Sequence, residues 1–175
     1  MRRPERRNAL SEEHLREWVH AVAEVEKGPA LGLILAADGP VFSAGHDFAD
    51  MAGRSLDEMR RLLAVCAELM LSLQRLPQVV IAQVEGDAIA AGCQLVASCD
   101  LAVAAEGAAF AIPGGKTGFF CHTPLVAVAR NIGRKRALEM AFTGDPIDAR
   151  TAAHWGLVNK VVPAEQLDEA TWDLI

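Results

Sequence analysis

The sequence lacks the closely spaced cysteines and histidines that hold metal ions. Its five histidines form neither an HExxH nor an HxH cluster. No CxxC pair occurs among its four cysteines, which are Cys66, Cys93, Cys99 and Cys121. Zinc sites need such clusters, so we expect no metal site. Cysteines among apolar residues behave as small hydrophobic side chains, which indicates reduced thiols in a reducing compartment.

An excess of basic residues is also missing. The 175 residues include 17 Lys and Arg against 23 Asp and Glu, which gives a formal net charge of −6. Surfaces that bind nucleic acids need clustered Lys and Arg, so we expect no nucleic-acid partner. With 51% of its residues apolar, the chain is too hydrophobic to be intrinsically disordered.

No uninterrupted apolar run is long enough for a membrane span. The best candidate, residues 88–105, contains Gln94, Ser98 and Asp100, and a carboxylate in the middle of a bilayer is costly. The arginine-rich N-terminus is not followed by the apolar segment of a signal peptide. We expect a soluble protein, in the cytoplasm of a bacterium or, if the source is eukaryotic, in the mitochondrial matrix.

Short apolar runs alternate with helical patterns along the chain. Strands are predicted at residues 31–37, 79–84, 101–105, 109–112 and 158–162. Helices are predicted after a Ser11 cap and a Ser55 capping box, and at residues 90–98, 125–131 (capped by Thr123), 136–142 and 149–155. This alternation indicates an α/β fold with parallel strands. No linker divides the chain, so we predict one domain over residues 1–175.

Two turns combine small residues with polar ones where a strand meets a helix. Their sequences are FSAGHD at residues 42–47 and EGDAIAAGCQ at residues 85–94. Small residues let a ligand approach backbone N–H groups, and a helix N-terminus adds a positive field. Two such N–H groups aimed at one point would stabilise an oxyanion. The same residues also suit tight packing, and their spacing alone leaves both interpretations open.

Five segments carry a resemblance to a known family. They are RPERRNAL (3–10), GPVFSAGHD (39–47), AAGCQLVASCD (90–100), FTGDPI (142–147) and AHWGLV (153–158). In this order they resemble the enoyl-CoA hydratase/isomerase (crotonase) family, and in particular its branch of enoyl-CoA hydratase domain-containing proteins. The resemblance covers almost the whole chain and implies a crotonase-like spiral of ββα units.

The resemblance also implies a ligand and a site. The ligand would be an acyl-CoA thioester, bound as substrate or ligand with no separate cofactor. The backbone N–H groups of Ala44 and Ala91 would form an oxyanion hole for its carbonyl oxygen. Gly45, His46 and Asp47 would line the CoA and thioester site together with those two residues.

The family pattern extends beyond both ends of this sequence. It implies a strand before Arg3 and a C-terminal helical region after Leu167. We therefore expect a core that is truncated at both ends relative to the family, with the C-terminal helical region missing. The resemblance further implies a homo-oligomer, a trimer or a hexamer.

The positions of the family's two catalytic glutamates hold other residues here. The first falls at Gln94, three residues after Ala91 and so on the same helix face, and the second falls at Gly114. An amide does not accept a proton usefully near neutral pH, and glycine has no side chain to do so. Ordinary hydratase activity is therefore not expected. The candidates for a replacement base are Asp47, Asp87, His46 and His122.

Two functions of different classes remain open. In the first, the protein is an enoyl-CoA hydratase/isomerase-like enzyme of fatty acid metabolism, a lyase or an isomerase that uses the oxyanion hole with a different base. In the alternative, it is a non-catalytic acyl-CoA-binding or regulatory protein that keeps the hole without the chemistry.

Overall fold

The computed structural model describes all 175 residues as eight strands, eight α-helices and three short 3-10 turns. The helices are α1 (Glu12–Lys27), α2 (Phe48–Met51), α3 (Leu56–Arg75), α4 (Ala91–Ser98), α5 (His122–Ile132), α6 (Arg134–Thr143), α7 (Ala149–Trp155) and α8 (Leu167–Trp172). The strands are β1 (Gly32–Leu35), β2 (Val41–Ser43), β3 (Val79–Val84), β4 (Asp87–Ile89), β5 (Leu101–Ala105), β6 (Ala109–Ala111), β7 (Ile147–Asp148) and β8 (Lys160–Val162).

The strands form two four-stranded sheets. One sheet has the order β1-β3-β5-β8 and is parallel throughout. The other has the order β2-β4-β6-β7, in which only β7 is antiparallel to its neighbour. The chain forms a spiral, and each of its first three turns adds one strand to each sheet and then a helix. The predicted α/β fold, a spiral of ββα units with parallel strands, is confirmed.

Local sequence signals set most of the helix boundaries. The Ser11 side chain accepts a hydrogen bond from the N–H of His14 and so caps α1. Ser55 and Glu58 form the predicted capping box of α3. The predicted Thr123 cap of α5 is wrong, because the helix begins at His122 and the Cys121 carbonyl already accepts its first hydrogen bond, from Leu125.

The shortest elements were not predicted from the sequence. Strands β4 and β7 and helix α2 span only three, two and four residues, which is too short for a periodic pattern. Strand β4 exists because it lies between β2 and β6 and pairs with both. Residues 87–89 therefore form part of the second sheet, and the turn before α4 begins only at Ala90.

Helix α4 lies at the centre of the core. All eight of its residues are buried, and it packs against α3, α5, β2 and β4. Burial on every side explains why the sequence of α4 shows no polar face. None of the helices is both long and apolar enough to cross a membrane.

Candidate active site

A narrow cleft opens between the loop after β2, the N-terminus of α4 and the segment that leads into α5. It encloses about 110 Å³. Nine of its sixteen lining residues are hydrophobic. The lining consists of Ala44, His46, Phe48, Leu63, Ile89, Ala90, Ala91, Pro113, Gly114, Thr117, Phe119, Phe120, Cys121, His122, Thr123 and Pro124.

The loop after β2 is tied to the N-terminal segment of the chain. The N–H of Ala44 donates to the Arg7 carbonyl at 3.0 Å, and the N–H of Asp47 donates to the Leu10 carbonyl at 3.2 Å. In the other direction, the N–H of Leu10 donates to the Gly45 carbonyl at 2.8 Å. The N–H of Gly45 reaches the Ser43 hydroxyl at 3.3 Å. Among residues 44–47, the only N–H without an acceptor in the protein is therefore that of His46.

This arrangement corrects the predicted pair of oxyanion donors. Ala44 lines the cleft, but its N–H is already used by the Arg7 carbonyl. A donor that must stabilise a developing charge has to be free to bind it, so Ala44 is replaced by His46 as the candidate donor on this loop. The sequence could not show this, because the alternation of hydrogen bonds depends on the pairing with residues 7–10.

The N-terminus of α4 supplies the second candidate donor. Ala91 is the first residue of the helix, and its N–H has no acceptor, as expected at a first helical turn. Ala90 adopts φ 52° and ψ −115°, a sparsely populated conformation that costs a residue other than glycine about 1–3 kcal/mol. The Ala90 N–H holds it there by donating to the Ala111 carbonyl at 2.8 Å.

Gly45 brings the two candidate donors close to one another. Its φ is +86°, and a Cβ at this position would lie 2.9 Å from the Ile89 carbonyl oxygen and 3.1 Å from the Ala91 nitrogen. A side chain is thus excluded by both conformation and space. The loop can therefore pack directly on the turn that begins α4, which places His46 and Ala91 in one cleft.

Comparison with known proteins decides the family. The enoyl-CoA hydratase/isomerase family profile matches residues 1–175. The chain is 47% identical over 168 residues to the mitochondrial enoyl-CoA hydratase domain-containing protein 3 of Rattus norvegicus, covering 95% of this chain and 56% of that protein. It is 45% identical over 170 residues to the protein of the same name in Homo sapiens, covering 96% of this chain and 56% of that one.

The chain belongs to the enoyl-CoA hydratase/isomerase family. The predicted family and branch are confirmed. A crystal structure of an enoyl-CoA hydratase from Mycobacterium smegmatis superposes with a TM-score of 0.95 at 46% identity, over 98% of this chain and 68% of that one. The human enoyl-CoA hydratase domain-containing protein 3 gives 0.95 at 43% identity over the same shares. This member spans just over half the length of its curated relatives.

The two predicted glutamate positions of this family member lie in different surroundings. Gln94 is 7% exposed, is not part of the cleft lining, and has a buried Oε1 without a hydrogen-bond partner. Gly114 does line the cleft. A Cβ there would lie 2.0 Å from the Phe119 carbonyl oxygen and 2.6 Å from Cys121 Sγ. The backbone around Gly114 therefore leaves no room for a side chain.

Of the candidate bases, the two aspartates are not available to a ligand in the cleft. Asp47 accepts hydrogen bonds from Arg6 at 2.7 Å and from the N–H groups of Ala49 and Asp50, and so caps α2. Burial alone would raise the pKa of Asp47, but these hydrogen bonds outweigh it and lower the pKa. Asp87 is exposed and lies outside the cleft.

Both candidate histidines line the cleft, in contrasting environments. Burial lowers the pKa of His46, against the opposite effects of the Leu10 carbonyl and the Asp50 carboxylate. The Nδ1 atom of His46 is buried without a hydrogen-bond partner. His122 is exposed, and its Nδ1 lies 3.2 Å from the Phe120 carbonyl oxygen.

Asn8, which the sequence did not mark as a site residue, anchors both ends of β2. Asn8 is fully buried, and its Nδ2 donates to the carbonyls of Asp38 and Val41 at 2.9 and 2.8 Å. Its Oδ1 accepts from the Arg3 N–H, and its carbonyl accepts from the Ser43 hydroxyl, both at 2.9 Å. Asn8 lies within RPERRNAL, one of the segments that carry the family resemblance.

Proposed function

We propose that the cleft binds an acyl-CoA thioester, with the thioester carbonyl oxygen between the backbone N–H groups of His46 and Ala91. The observation that carries this proposal is that both residues line one cleft while neither N–H has an acceptor in the protein. Donors held in place before the reaction stabilise charge that develops on a carbonyl oxygen, and one such donor contributes about 3–4 kcal/mol.

The remaining cleft surface suits the acyl chain. Leu63, Phe119 and Phe120 present apolar surface to the same space as the two candidate donors. Burial of apolar surface contributes about 25 cal/mol per Å², so each methylene that enters adds to the affinity.

We propose an enzyme of the hydratase/isomerase type that acts on such thioesters, as a lyase or an isomerase. Withdrawal of electrons from the carbonyl acidifies the C–H bonds at C2 and activates a 2-enoyl thioester for addition at C3. Both outcomes need a proton carrier, and the family's two glutamate positions supply none here. The ordinary hydratase mechanism through two carboxylates therefore does not apply to this chain.

The infrared stretch of a bound thioester tests the oxyanion hole. Butyryl-CoA labelled with 13C at the carbonyl should show a band at lower frequency when bound than when free. Ala91→Pro removes the N–H and should abolish the shift. Because Ala91 is buried and proline restricts the residue before it, calorimetry should confirm that this variant still binds butyryl-CoA. Leu56→Pro makes the same change at the start of the distant helix α3 and should keep it. An unshifted band in the unmodified protein would refute the proposal.

A second function is supported by the lack of any carboxylate in the cleft lining. On this view the protein binds acyl-CoA without converting it and serves as a binding or regulatory protein. Calorimetry with crotonyl-CoA combined with a turnover assay separates the two functions. Binding without loss of the enoyl absorbance or migration of the double bond would favour the non-catalytic function.

We also propose a homo-oligomer, a trimer or a hexamer. Several large apolar side chains are exposed, among them Leu31 (84%), Phe142 (71%) and Trp172 (66%), and burying such surface between subunits would be favourable. Light scattering during gel filtration would refute this by showing a monomer. Because the rat and human relatives are named mitochondrial, we propose the mitochondrial matrix for a eukaryotic source and the cytoplasm for a bacterial one.

A further inference from the structure

Three residues of the cleft lining carry an imidazole or a thiol, and they are His46, Cys121 and His122. The other thirteen lining residues are apolar, glycine or threonine. Among the lining residues, these three are therefore the candidates for carrying a proton to or from a ligand.

Cys121 and His46 are poorly suited to the role. Burial raises the pKa of the Cys121 thiol, only partly offset by the Gly114 N–H, so Cys121 stays protonated near neutral pH. The Nδ1 atom of His46 is buried with no hydrogen-bond partner. Burial disfavours the charged imidazolium and lowers the pKa of His46 despite the opposing effects of the Leu10 carbonyl and the Asp50 carboxylate.

His122, in contrast to His46, is exposed to solvent and has a partner for its Nδ1 atom. It is the first residue of α5 and lines the cleft while its ring remains open to solvent. Its Nδ1 lies 3.2 Å from the Phe120 carbonyl oxygen, and a carbonyl can only accept. Nδ1 therefore carries the hydrogen in the neutral ring, which leaves the lone pair on Nε2. The contact fixes both the tautomer and the orientation of a base.

We infer that His122 is the acid–base residue of this site: its Nε2 takes a proton from C2 of a bound acyl thioester and returns it. This inference rests on the proposed function. When the C2–H bond breaks, its electron pair forms the C1–C2 double bond and the carbonyl pair moves onto oxygen, where the N–H groups of His46 and Ala91 stabilise it. The reverse step restores the thioester, so no other reactant is consumed.

No charged residue of the elements near α5 lines the cleft, so none of them competes with His122 for this role. Helix α5 packs against α4 and α6, and α6 in turn packs against the turn at Pro113–Thr117. Helix α4 carries no charged residue, and its one cysteine, Cys93, is a buried thiol. The charged residues of the other two elements lie outside the cleft lining, and they are Lys116, Arg134, Lys135, Arg136 and Glu139. Lys116 is paired with Asp145 at 2.5 Å.

Hydrogen exchange at C2 tests this role directly. Butyryl-CoA in D2O, followed by mass spectrometry, should gain deuterium faster with the protein than in buffer alone. His122→Asn keeps an N–H that can donate to the Phe120 carbonyl but has no base, and exchange should fall by about 100-fold or more. Calorimetry should show that this variant still binds butyryl-CoA.

Two further variants make the result specific. His122→Ala removes both the base and the contact with Phe120, whereas His154→Gln changes an exposed histidine outside the cleft. We expect exchange to be lost in His122→Ala and retained in His154→Gln. Recovery of exchange in His122→Asn relative to His122→Ala would show a structural role and overturn the inference.

The remaining outcomes separate this inference from the proposed function. Exchange retained in His122→Asn would assign the base to another residue and overturn the inference. Binding of butyryl-CoA without exchange in the unmodified protein would also overturn it and leave thioester binding intact. Failure to bind butyryl-CoA at all would overturn the proposed function and the inference together.

Discussion

The two walls of the cleft are built in different ways. The first wall, formed by the loop after β2 and the start of α4, is held by hydrogen bonds between backbone groups. Residues 44–47 form them with residues 7–10, and Ala90 forms one with Ala111. The facing wall, residues 113–124, presents aromatic rings, a thiol and an imidazole. The difference indicates that the first wall fixes the position of a carbonyl oxygen, whereas the second determines which chemistry follows.

The largest effect is expected from breaking the first wall at Asn8. Asn8→Ala leaves the carbonyls of Asp38 and Val41 without their donor, and each such loss costs about 1–3 kcal/mol. We expect urea unfolding to show a loss of about 3 kcal/mol, together with weaker binding of butyryl-CoA.

Asn131→Ala is the matched control for Asn8→Ala. Asn131 also donates from Nδ2 to two carbonyls, those of Ala97 and Ala127, but it is an exposed residue. Water can replace its hydrogen bonds, so the loss should be near 1 kcal/mol with unchanged binding. Equal losses in the two variants would show that burial of Asn8 does not set its contribution.

The second wall is tested at Gly114. A Cβ at this position meets the Phe119 carbonyl oxygen at 2.0 Å, so Gly114→Ala requires the backbone of this wall to shift. We expect a loss of about 2 kcal/mol in urea unfolding, within the range for overpacked sites. Gly107→Ala is the control, because nothing lies within 4 Å of its Cβ position. A Gly114→Ala protein as stable as the control would show that this wall is pliable.

The sequence allowed the first wall to be predicted better than the second. The SAGHD and AAGCQ segments located both turns, because a backbone site needs small residues at fixed places. Which N–H is free could not be predicted, since the hydrogen bond from Ala44 to Arg7 joins residues 37 positions apart and exists only once residues 7–10 pair with the loop. On the second wall, nothing in the spacing of FFCHTP shows that Phe120 orients His122, because that contact depends on the 3-10 turn before α5.

The fold likewise depends in part on contacts between residues that are distant in the sequence. The apolar runs predicted strands β1, β3, β5 and β6, and capping residues predicted α1 and α3. Strand β4 was missed because its three residues become a strand only between β2 and β6. The partition of the strands into two sheets likewise depends on pairing between distant residues, which hydrophobic pattern does not encode.

We expect the protein to lose stability at acidic pH because of His14, which contacts the Ala9 carbonyl in the segment that holds the first wall. Burial lowers the pKa of His14, with the Ala9 carbonyl acting in the opposite direction, and the neutral ring accepts from Trp18 Nε1 at 3.0 Å. Below the ordinary histidine pKa the unfolded chain binds a proton that the folded chain does not, so stability falls as pH falls. The slope from one histidine is at most about 1.4 kcal/mol per pH unit.

Urea unfolding at pH 7 and pH 6 measures this dependence. The unmodified protein should lose stability between the two values by about 1 kcal/mol. His14→Gln should lose less, because one of the two groups with a lowered pKa, His14 and His46, is gone. His20→Gln, on an exposed face of the same helix, should behave like the unmodified protein. A steeper dependence in His14→Gln would contradict the assignment.

The smallest effect is expected at the ion pair that closes the first wall. Arg6 contacts Asp47 at 2.7 Å, but its side chain is 47% exposed, and ion pairs with such access to water contribute about 0.5 kcal/mol. Arg6→Ala should therefore lower the unfolding free energy by about that amount. Asp47→Ala should cost more, about 1 kcal/mol, because it also removes the cap of α2. If Arg6→Ala proved as costly as Asp47→Ala, the charge rather than the cap would hold the loop, and high salt should then weaken butyryl-CoA binding as well.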